Sequence, residues 1–161
     1  MKILVLGAAG MIGRKLIEHL LTDGHLRGGA ITSIQGFDVV EPQFKYSGSI
    51  SLSTSSGNVS DAETINALVA HKPDVIFHLA AIVSGEAESD FEKGYRVNLV
   101  GTQNVFDAIA AIDGYVPRIV YASSIAVFGA PFPEAIADDF HTTPLTSYGT
   151  QKAIGELLLT D

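Results

Sequence analysis

Short apolar runs along the chain alternate with longer segments in which apolar side chains recur every three or four residues. The runs are typical of β-strands, and the longer spacing is typical of helices. Because the strands are largely apolar throughout, we expect a doubly wound α/β fold, in which helices cover both faces of a parallel sheet. Strands are predicted at 2–7, 31–40, 49–53, 74–81 and 118–124, and helices at 11–20, 61–73, 90–112 and 147–160.

Capping and turn residues refine this outline. Asp61 is suited to be the N-cap of the second helix, and Pro73 is predicted to stop it. Residues 123–146 contain several prolines and no clear periodicity, which favours an active-site loop over a domain linker. No boundary is predicted inside the chain, so residues 1–161 are expected to form one domain.

Composition excludes several classes of function. The 161 residues include 10 Lys and Arg against 18 Asp and Glu, a net charge of -8, without a basic block, so nucleic acid is not an expected partner. There is no cysteine, and the five histidines lack metal-ligand spacing, so no metal is expected. No apolar stretch approaches the roughly 18 to 20 residues that span a bilayer. We therefore expect a cytoplasmic protein without membrane contact.

A glycine-rich turn lies between the first predicted strand and the first predicted helix. The sequence GAAGMIG places Gly7, Gly10 and Gly13 at this junction. Glycines at this position allow a tight turn and let backbone amides approach a pyrophosphate at the helix N-terminus. An ordinary strand-to-helix turn is the alternative, but the position after the first strand favours a dinucleotide site.

The second predicted strand carries an acidic residue near its end, Asp38. A carboxylate there accepts hydrogen bonds from the adenosine ribose and repels a 2′-phosphate, so the sequence favours NAD over NADP. A solvated turn residue is the alternative interpretation. After the third strand, the Asn58 amide and the Val59 backbone are candidates for contacts with adenine.

Tyr148 and Lys152 lie four residues apart, on one face of the last predicted helix. Ser123 and Ser124 close the fifth strand, at the sheet edge where open α/β folds bind ligands. An ammonium group beside the phenol favours the phenolate, so Tyr148 is a candidate general base. The alternatives are that Ser124 caps a loop, that Lys152 is solvated and that Tyr148 belongs to the core.

The motifs GAAGMIG, HLAA, NLVGT, SSIAVFG and YGTQK, together with Asp38, resemble the extended short-chain dehydrogenase/reductase family over the whole chain. The resemblance implies an NAD-binding Rossmann fold and a catalytic triad of Ser124, Tyr148 and Lys152. It also implies that Asn98 holds a proton-relay water. The implied cofactor residues are Gly7, Gly10, Met11, Ile12, Gly13, Asp38, Asn58, Val59, Leu79, Ala80, Ala81, Asn98, Tyr148 and Lys152.

Within that family, residues 78–99 and 140–154 are most similar to the D-erythronate dehydrogenases. The implied reaction is NAD-dependent oxidation of the C2 hydroxyl of a four-carbon sugar acid. Tyr148 would remove the hydroxyl proton, Ser124 would bind the reacting oxygen, and Lys152 would hold the ribose. The implied substrate residues are Ser84, Gly85 and Glu86 of a loop that runs to Glu88, together with Ser123, Ser124 and Tyr148.

Two rival functions remain open at this point. A sugar-nucleotide epimerase or dehydratase would share the cofactor motifs, although Phe128 replaces the tyrosine common in such epimerases. A non-catalytic NAD-binding module is the other rival, and the intact Ser-Tyr-Lys set argues against it. Gly155 is unexplained, because glycine inside a helix costs about 1 kcal/mol relative to alanine.

By the same resemblance, a substrate domain would follow residue 161, and the chain would be the N-terminal portion of a longer enzyme. We then expect these residues alone to bind NAD weakly and to turn over no sugar acid. The resemblance also implies a homodimer that pairs the helices at 90–112 and 147–160.

Overall fold

The sheet at the centre of the computed structural model, which describes residues 1–160, contains five parallel strands. These strands are β1 (Lys2–Leu6), β4 (Ser33–Asp38), β5 (Ser51–Ser56), β6 (Val75–His78) and β7 (Arg118–Tyr121). Their order is β5-β4-β1-β6-β7, so β1 is central and the chain runs outward first on one side and then on the other. The predicted doubly wound parallel sheet is confirmed. Asp38 is the last residue of β4, as expected.

The part of the chain from 1 to 160 contains six α-helices: α1 (Met11–Asp23), α2 (Ala62–Val69), α3 (Ser84–Ser89), α4 (Phe91–Gly94), α5 (Gly101–Ala110) and α6 (Ser147–Leu158). Alternate residues of β1 face opposite sides, as in any strand. Leu4 and Leu6 belong to one buried cluster, and Ile3 and Val5 belong to the other. Each fully buried side chain of this kind contributes about 1.5 to 3 kcal/mol, which explains why apolar residues occupy every position of this strand after the exposed Lys2.

The predicted helix at 90–112 is present from Phe91 to Ala110 without a break. Its middle is a π-helical segment (Tyr95–Val100), which lies between α4 and α5. The apolar spacing that predicted one helix is preserved, but the π-helical segment adds a residue to the turn around the buried Asn98. The predicted helix is therefore confirmed, and the π-helical turn within it was not predicted.

A short helix, a small hairpin and a 3₁₀ turn (Ile125–Val127) were not predicted. Residues 84–88, expected to form a loop, belong to α3, a short helix with one buried residue, Ala87, and hence no apolar periodicity. A small hairpin joins β2 (His25–Leu26) to β3 (Gly29–Ala30). Its two turn residues, Arg27 and Gly28, have φ values of 51° and 80°, a combination typical of tight hairpin turns.

The helix boundaries at α2 illustrate one correct and one wrong prediction. The Asp61 carboxylate accepts a hydrogen bond from Glu63 N at 3.1 Å, which confirms Asp61 as the N-cap. The helix ends at Val69, before Pro73, and Lys72 has a φ of 51°. Pro73 therefore does not stop this helix. None of the helices in residues 1–160 has the length and apolar character needed to cross a membrane.

Candidate active site

The glycine turn connects β1 to α1 at the carboxyl edge of the sheet. Gly7 has a φ of 90°, and a Cβ atom there would lie 2.6 Å from Ala80 N, so only glycine fits. Gly10 is the N-cap of α1 and provides no side-chain cap, while Gly13 is buried in the first turn of the helix. The helix therefore begins with backbone N–H groups directed toward the turn, an arrangement that favours an anion.

Asp38 is held beside this turn by two backbone amides. Its carboxylate accepts hydrogen bonds from Ala9 N at 2.8 Å and from Val39 N at 2.7 Å. Each carboxylate oxygen retains acceptor capacity for a ligand hydroxyl. Asn58 lies on the neighbouring strand connection, where its side-chain oxygen accepts from Ser60 N at 2.9 Å. The Asn58 NH₂ group makes no hydrogen bond with residues 1–160, so it is free to donate to a ligand.

A cleft of about 490 Å³ opens along this edge of the sheet. Its lining is Gly7, Ala9, Gly10, Asp38, Val39, Gly57, Asn58, Val59, Leu79, Ala80, Ala81, Ile82, Glu86, Lys93 and Val97. Nine of these residues were predicted from the sequence, as cofactor or substrate contacts. The glycine turn, the fixed Asp38 carboxylate and the size of the cleft fit a dinucleotide.

Some predicted contacts lie outside this lining. Met11 and Ile12, at the start of α1, are 69% and 58% exposed, and neither lines the cleft. Ser84 and Gly85 are exposed on α3. Glu86 does line the cleft and forms a salt bridge with Lys93, whose pKa is raised, first by the hydrogen bond that Lys93 donates to this carboxylate.

Lys152 lies beneath Tyr148 and is only 2% exposed, so it is not the solvated residue that one interpretation allowed. Its Nζ donates a hydrogen bond to Ala122 O at 2.8 Å and lies 6.0 Å from the centroid of the Tyr148 ring. Burial lowers the pKa of Lys152 to about 8, because removing an ammonium from water disfavours its charged form.

Tyr148 and Ser124 flank one tight contact between α6 and a 3₁₀ turn (Ile125–Val127). A Cβ atom on Gly149 would overlap Ala126 O, so the two elements pack directly backbone to backbone. The Ser124 hydroxyl oxygen accepts a hydrogen bond from Ala126 N at 3.2 Å. It therefore caps the turn, and its hydroxyl hydrogen remains available. Ser123 instead donates its hydroxyl hydrogen to Glu156 on α6.

Asn98 is buried in the π-helical segment and contacts two other elements. Its side chain accepts from Ile82 N at 2.9 Å and donates to Ile82 O at 3.1 Å and to Gln151 Oε1 at 2.8 Å. Its backbone oxygen accepts from the Thr102 hydroxyl at 2.7 Å. Both side-chain donors of Asn98 are thus used to hold the segment after β6 against α6.

Three residues near these groups were missed from the sequence. Gln151 is fully buried, although a glutamine beside Lys152 gave no sign of burial. Glu88 accepts a hydrogen bond from Tyr148 N at 2.8 Å, a favourable position for a carboxylate at a helix N-terminus. His78 is buried with its Nε2 2.9 Å from the Thr102 hydroxyl oxygen, and burial, followed by the charge of Lys152, lowers its pKa to about 3. Its position inside an apolar strand was the available signal.

Comparison with known proteins places this site in context. The chain is 39% identical to D-erythronate dehydrogenase from Cupriavidus necator and 35% identical to that from Haemophilus influenzae, in each case over 100% of this chain and 50% of the relative. A crystal structure of the nucleoside-diphosphate-sugar epimerase from Agrobacterium tumefaciens superposes with a TM-score of 0.95 at 55% identity, over 100% of this chain and 48% of that one. The chain thus spans about half the length of these relatives.

A family model also matches residues 3–161, which is almost the whole chain. Its description names the cofactor NAD, in agreement with the cofactor predicted from the sequence. The glycine turn, the acid that ends β4 and the Tyr148–Lys152 pair all lie within the matched range. The chain therefore belongs to the NAD dependent epimerase/dehydratase family.

Proposed function

We propose that this chain binds NAD for the oxidation of the C2 hydroxyl of a four-carbon sugar acid, D-erythronate, to the 2-oxo acid. One observation carries the proposal: two features lie at the same edge of the sheet. The first is a cleft that contains the fixed Asp38 carboxylate, and the second is the buried Lys152 beside Tyr148. The two D-erythronate dehydrogenases similar to this chain support the substrate class.

Each catalytic residue has a distinct role in this proposal. NAD, when bound, supplies the ring that accepts hydride. Tyr148 takes the proton of the C2 hydroxyl, and the Lys152 ammonium stabilises negative charge on the phenol oxygen. The Ser124 hydroxyl donates a hydrogen bond to the reacting oxygen, because its oxygen already accepts from Ala126 N. Lys152 retains two further N–H donors beyond its bond to Ala122, and we assign these to the cofactor ribose.

The remaining residues act by holding position. Gly7, Gly10 and Gly13 shape the turn so that the free N–H groups in the first turn of α1 face the pyrophosphate, and Asp38 accepts from the adenosine ribose. Asn58 and Val59 border the adenine end of the cleft, and Leu79 to Ala81 form its wall. We assign Asn98 a positioning role, because its side chain holds Ile82 and Gln151, in addition to any part in proton relay.

A sugar-nucleotide epimerase is the second candidate, since the Agrobacterium structure bears that name. Phe128 argues against it in this chain. Its ring packs edge-on against Phe140, with centroids 5.8 Å apart, and it has no hydroxyl to offer a substrate.

Titration calorimetry with NAD and NADP tests the cofactor assignment on this chain. We expect NAD to bind at least tenfold more tightly, and we expect Asp38→Ala to reduce that ratio because the repulsion of a 2′-phosphate is lost. Asp113→Ala, an exposed carboxylate away from the cleft, is the matched control and should leave the ratio unchanged. Equal affinity for the two cofactors in the unaltered chain would refute the role of Asp38.

The substrate assignment is tested with protein expressed from the complete gene. NADH formation is measured with D-erythronate, with other four-carbon sugar acids, and in parallel with UDP-glucose and UDP-galactose. Oxidation of D-erythronate, reduced about 10²- to 10⁴-fold by Tyr148→Phe, is the expected result. Turnover of the sugar nucleotides alone would move the function to the epimerase, and NAD binding without any turnover would favour the non-catalytic module.

A further inference from the structure

Lys152 is a buried cation with an unusual set of neighbours. It forms no salt bridge with any residue from 1 to 160, and its one hydrogen bond is to the backbone oxygen of Ala122. Burying an ammonium without a carboxylate is costly, so other groups must stabilise its charge. Two aromatic rings lie near this ammonium. The ring centroid of Tyr121 is 4.7 Å from Lys152 Nζ, closer than that of Tyr148 at 6.0 Å.

Tyr121 is the last residue of β7, and two close neighbours, His78 and Gly155, fix its ring. The His78 ring lies against it, with centroids 5.6 Å apart. Its hydroxyl is buried without a hydrogen-bond partner, so it is not held by a polar contact. On α6, a Cβ atom at Gly155 would overlap the Tyr121 hydroxyl. The glycine that the sequence left unexplained is therefore required for the Tyr121 ring to lie beside Lys152.

We propose that Tyr121 is a positioning residue, whose aromatic face holds the Lys152 ammonium in place beside Tyr148. A cation over an aromatic face within about 6 Å is attracted by the ring quadrupole, and the attraction is largest at desolvated sites. Gly155 is part of the same arrangement because it provides the space. The catalytic role of Lys152 comes from the proposed function, whereas its contact with Tyr121 does not depend on that function.

The other ionisable groups near Lys152 do not supply the missing negative charge. His78 of β6 is neutral, and Tyr121 of β7 stays protonated because burial raises its pKa to about 12. On α6 itself, Glu156 accepts a hydrogen bond from Ser123 and is not within salt-bridge distance of Lys152, and Glu88 of α3 is hydrogen-bonded to Tyr148 N. The aromatic face of Tyr121 is thus the closest side-chain source of electron density.

The titration of Lys152 Nζ, followed by NMR in lysine-labelled protein without cofactor or substrate, tests this directly. Tyr121→Phe keeps the ring and should leave the pKa of Lys152 within a few tenths of a unit. Tyr121→Leu removes the aromatic face and should lower that pKa by about one unit. Tyr115→Leu, a tyrosine whose hydroxyl bonds to Pro73 near the opposite end of β6 from Tyr121, is the matched control and should cause no shift.

A second substitution keeps the test decisive if Tyr121→Leu fails to fold. Pentafluorophenylalanine at position 121 has nearly the shape of phenylalanine but an inverted quadrupole, so it should lower the pKa of Lys152 more than Tyr121→Phe does. The same titration is carried out on the phenylalanine and pentafluorophenylalanine proteins. Equal pKa values of Lys152 in the two would overturn the proposal, whatever the enzyme oxidises. In protein from the complete gene, the pH profile of kcat should shift with the pentafluoro ring and be restored by phenylalanine.

Discussion

Two buried basic side chains have strongly lowered pKa values, so the stability of the protein should depend on pH through each of them. His78 is the first. In the folded protein the pKa of His78 is about 3, so its imidazole stays neutral above that pH. In the unfolded chain the same imidazole binds a proton near pH 6.5. Because the unfolded state holds more protons between these values, stability falls as the pH drops from about 6.5 toward 3. We expect His78→Gln to flatten this part of a urea-denaturation series, while His71→Gln, at an exposed site, leaves the slope as it was. If the stability of His78→Gln and of His71→Gln changed with pH by the same amount, His78 would not be the source of this pH dependence.

Lys152 makes the second pH prediction. Its pKa of about 8 in the folded protein lies below the ordinary value of 10.5, so the unfolded chain retains the proton after the folded protein has lost it. Stability should therefore rise from about pH 8 toward pH 10, where tyrosine ionisation in the unfolded chain begins to oppose it. Lys152→Met should abolish this rise and raise the free energy of unfolding at pH 7, as expected for a residue kept for function at a cost in stability. Denaturation midpoints between pH 7 and 10 measure both effects.

At the scale of elements, the π-helical segment depends on a residue far away in the sequence. Gln151 of α6 accepts a hydrogen bond from Asn98, 53 residues earlier, and a Cβ atom at Gly94 would lie 2.8 Å from the Gln151 amide nitrogen. Gln151→Met should lower the free energy of unfolding by about 1 to 3 kcal/mol, because it leaves a buried donor of Asn98 unsatisfied. Gln103→Met, on the exposed face of α5, is the matched control. Equal losses in the two variants would argue against a specific role for this bond.

The elements that the sequence predicted are those whose pattern is visible in a short stretch of the chain. Apolar patterns located α1, α2, β1, β4 and β6, because each buries a stripe or a run that is visible within a short window. The strands β5 and β7 were also located, although none of their residues is fully buried. The π-helical turn within the helix at 90–112 was not visible there, since the Ile82 and Gln151 partners of Asn98 lie on other elements. For the same reason the glycine turn and Asp38 were predictable as local motifs, whereas Ile82, Lys93 and Val97 joined the cleft only through the fold.

At the scale of the whole molecule, apolar side chains remain exposed on the helices expected to form a dimer. Phe91 is 61%, Val100 42% and Leu157 66% exposed, on α4, the π-helical segment and α6. We expect protein from the complete gene to be a two-fold dimer through this surface. Sedimentation should then show that Val100→Asp or Leu157→Asp shifts it to monomer, while Val116→Asp, 92% exposed in the loop after α5, does not. A monomer before any substitution would refute this surface as an interface.

Strand order is the part of the architecture that local patterns do not determine. β1 pairs with β4 on one side and with β6 on the other, and only the second of these neighbours lies more than 60 residues away in sequence. Alternating strands and helices predicted a doubly wound sheet, but the pairing that brings Asp38 and Ala80 to either side of Gly7 is a property of the assembled chain. The cofactor cleft exists because of that pairing.

The Asn98 carboxamide bonds to both the N–H and the C=O of Ile82, as the backbone of a neighbouring strand would. Asparagine and aspartate codons differ by a single base, so one nucleotide change at this position replaces a donor with a second acceptor. The resulting carboxylate would face the Ile82 carbonyl oxygen in a buried site and could donate a hydrogen bond neither to that oxygen nor to Gln151 Oε1. A single-base change in the gene thus removes one of the two hydrogen bonds between this side chain and the peptide after β6.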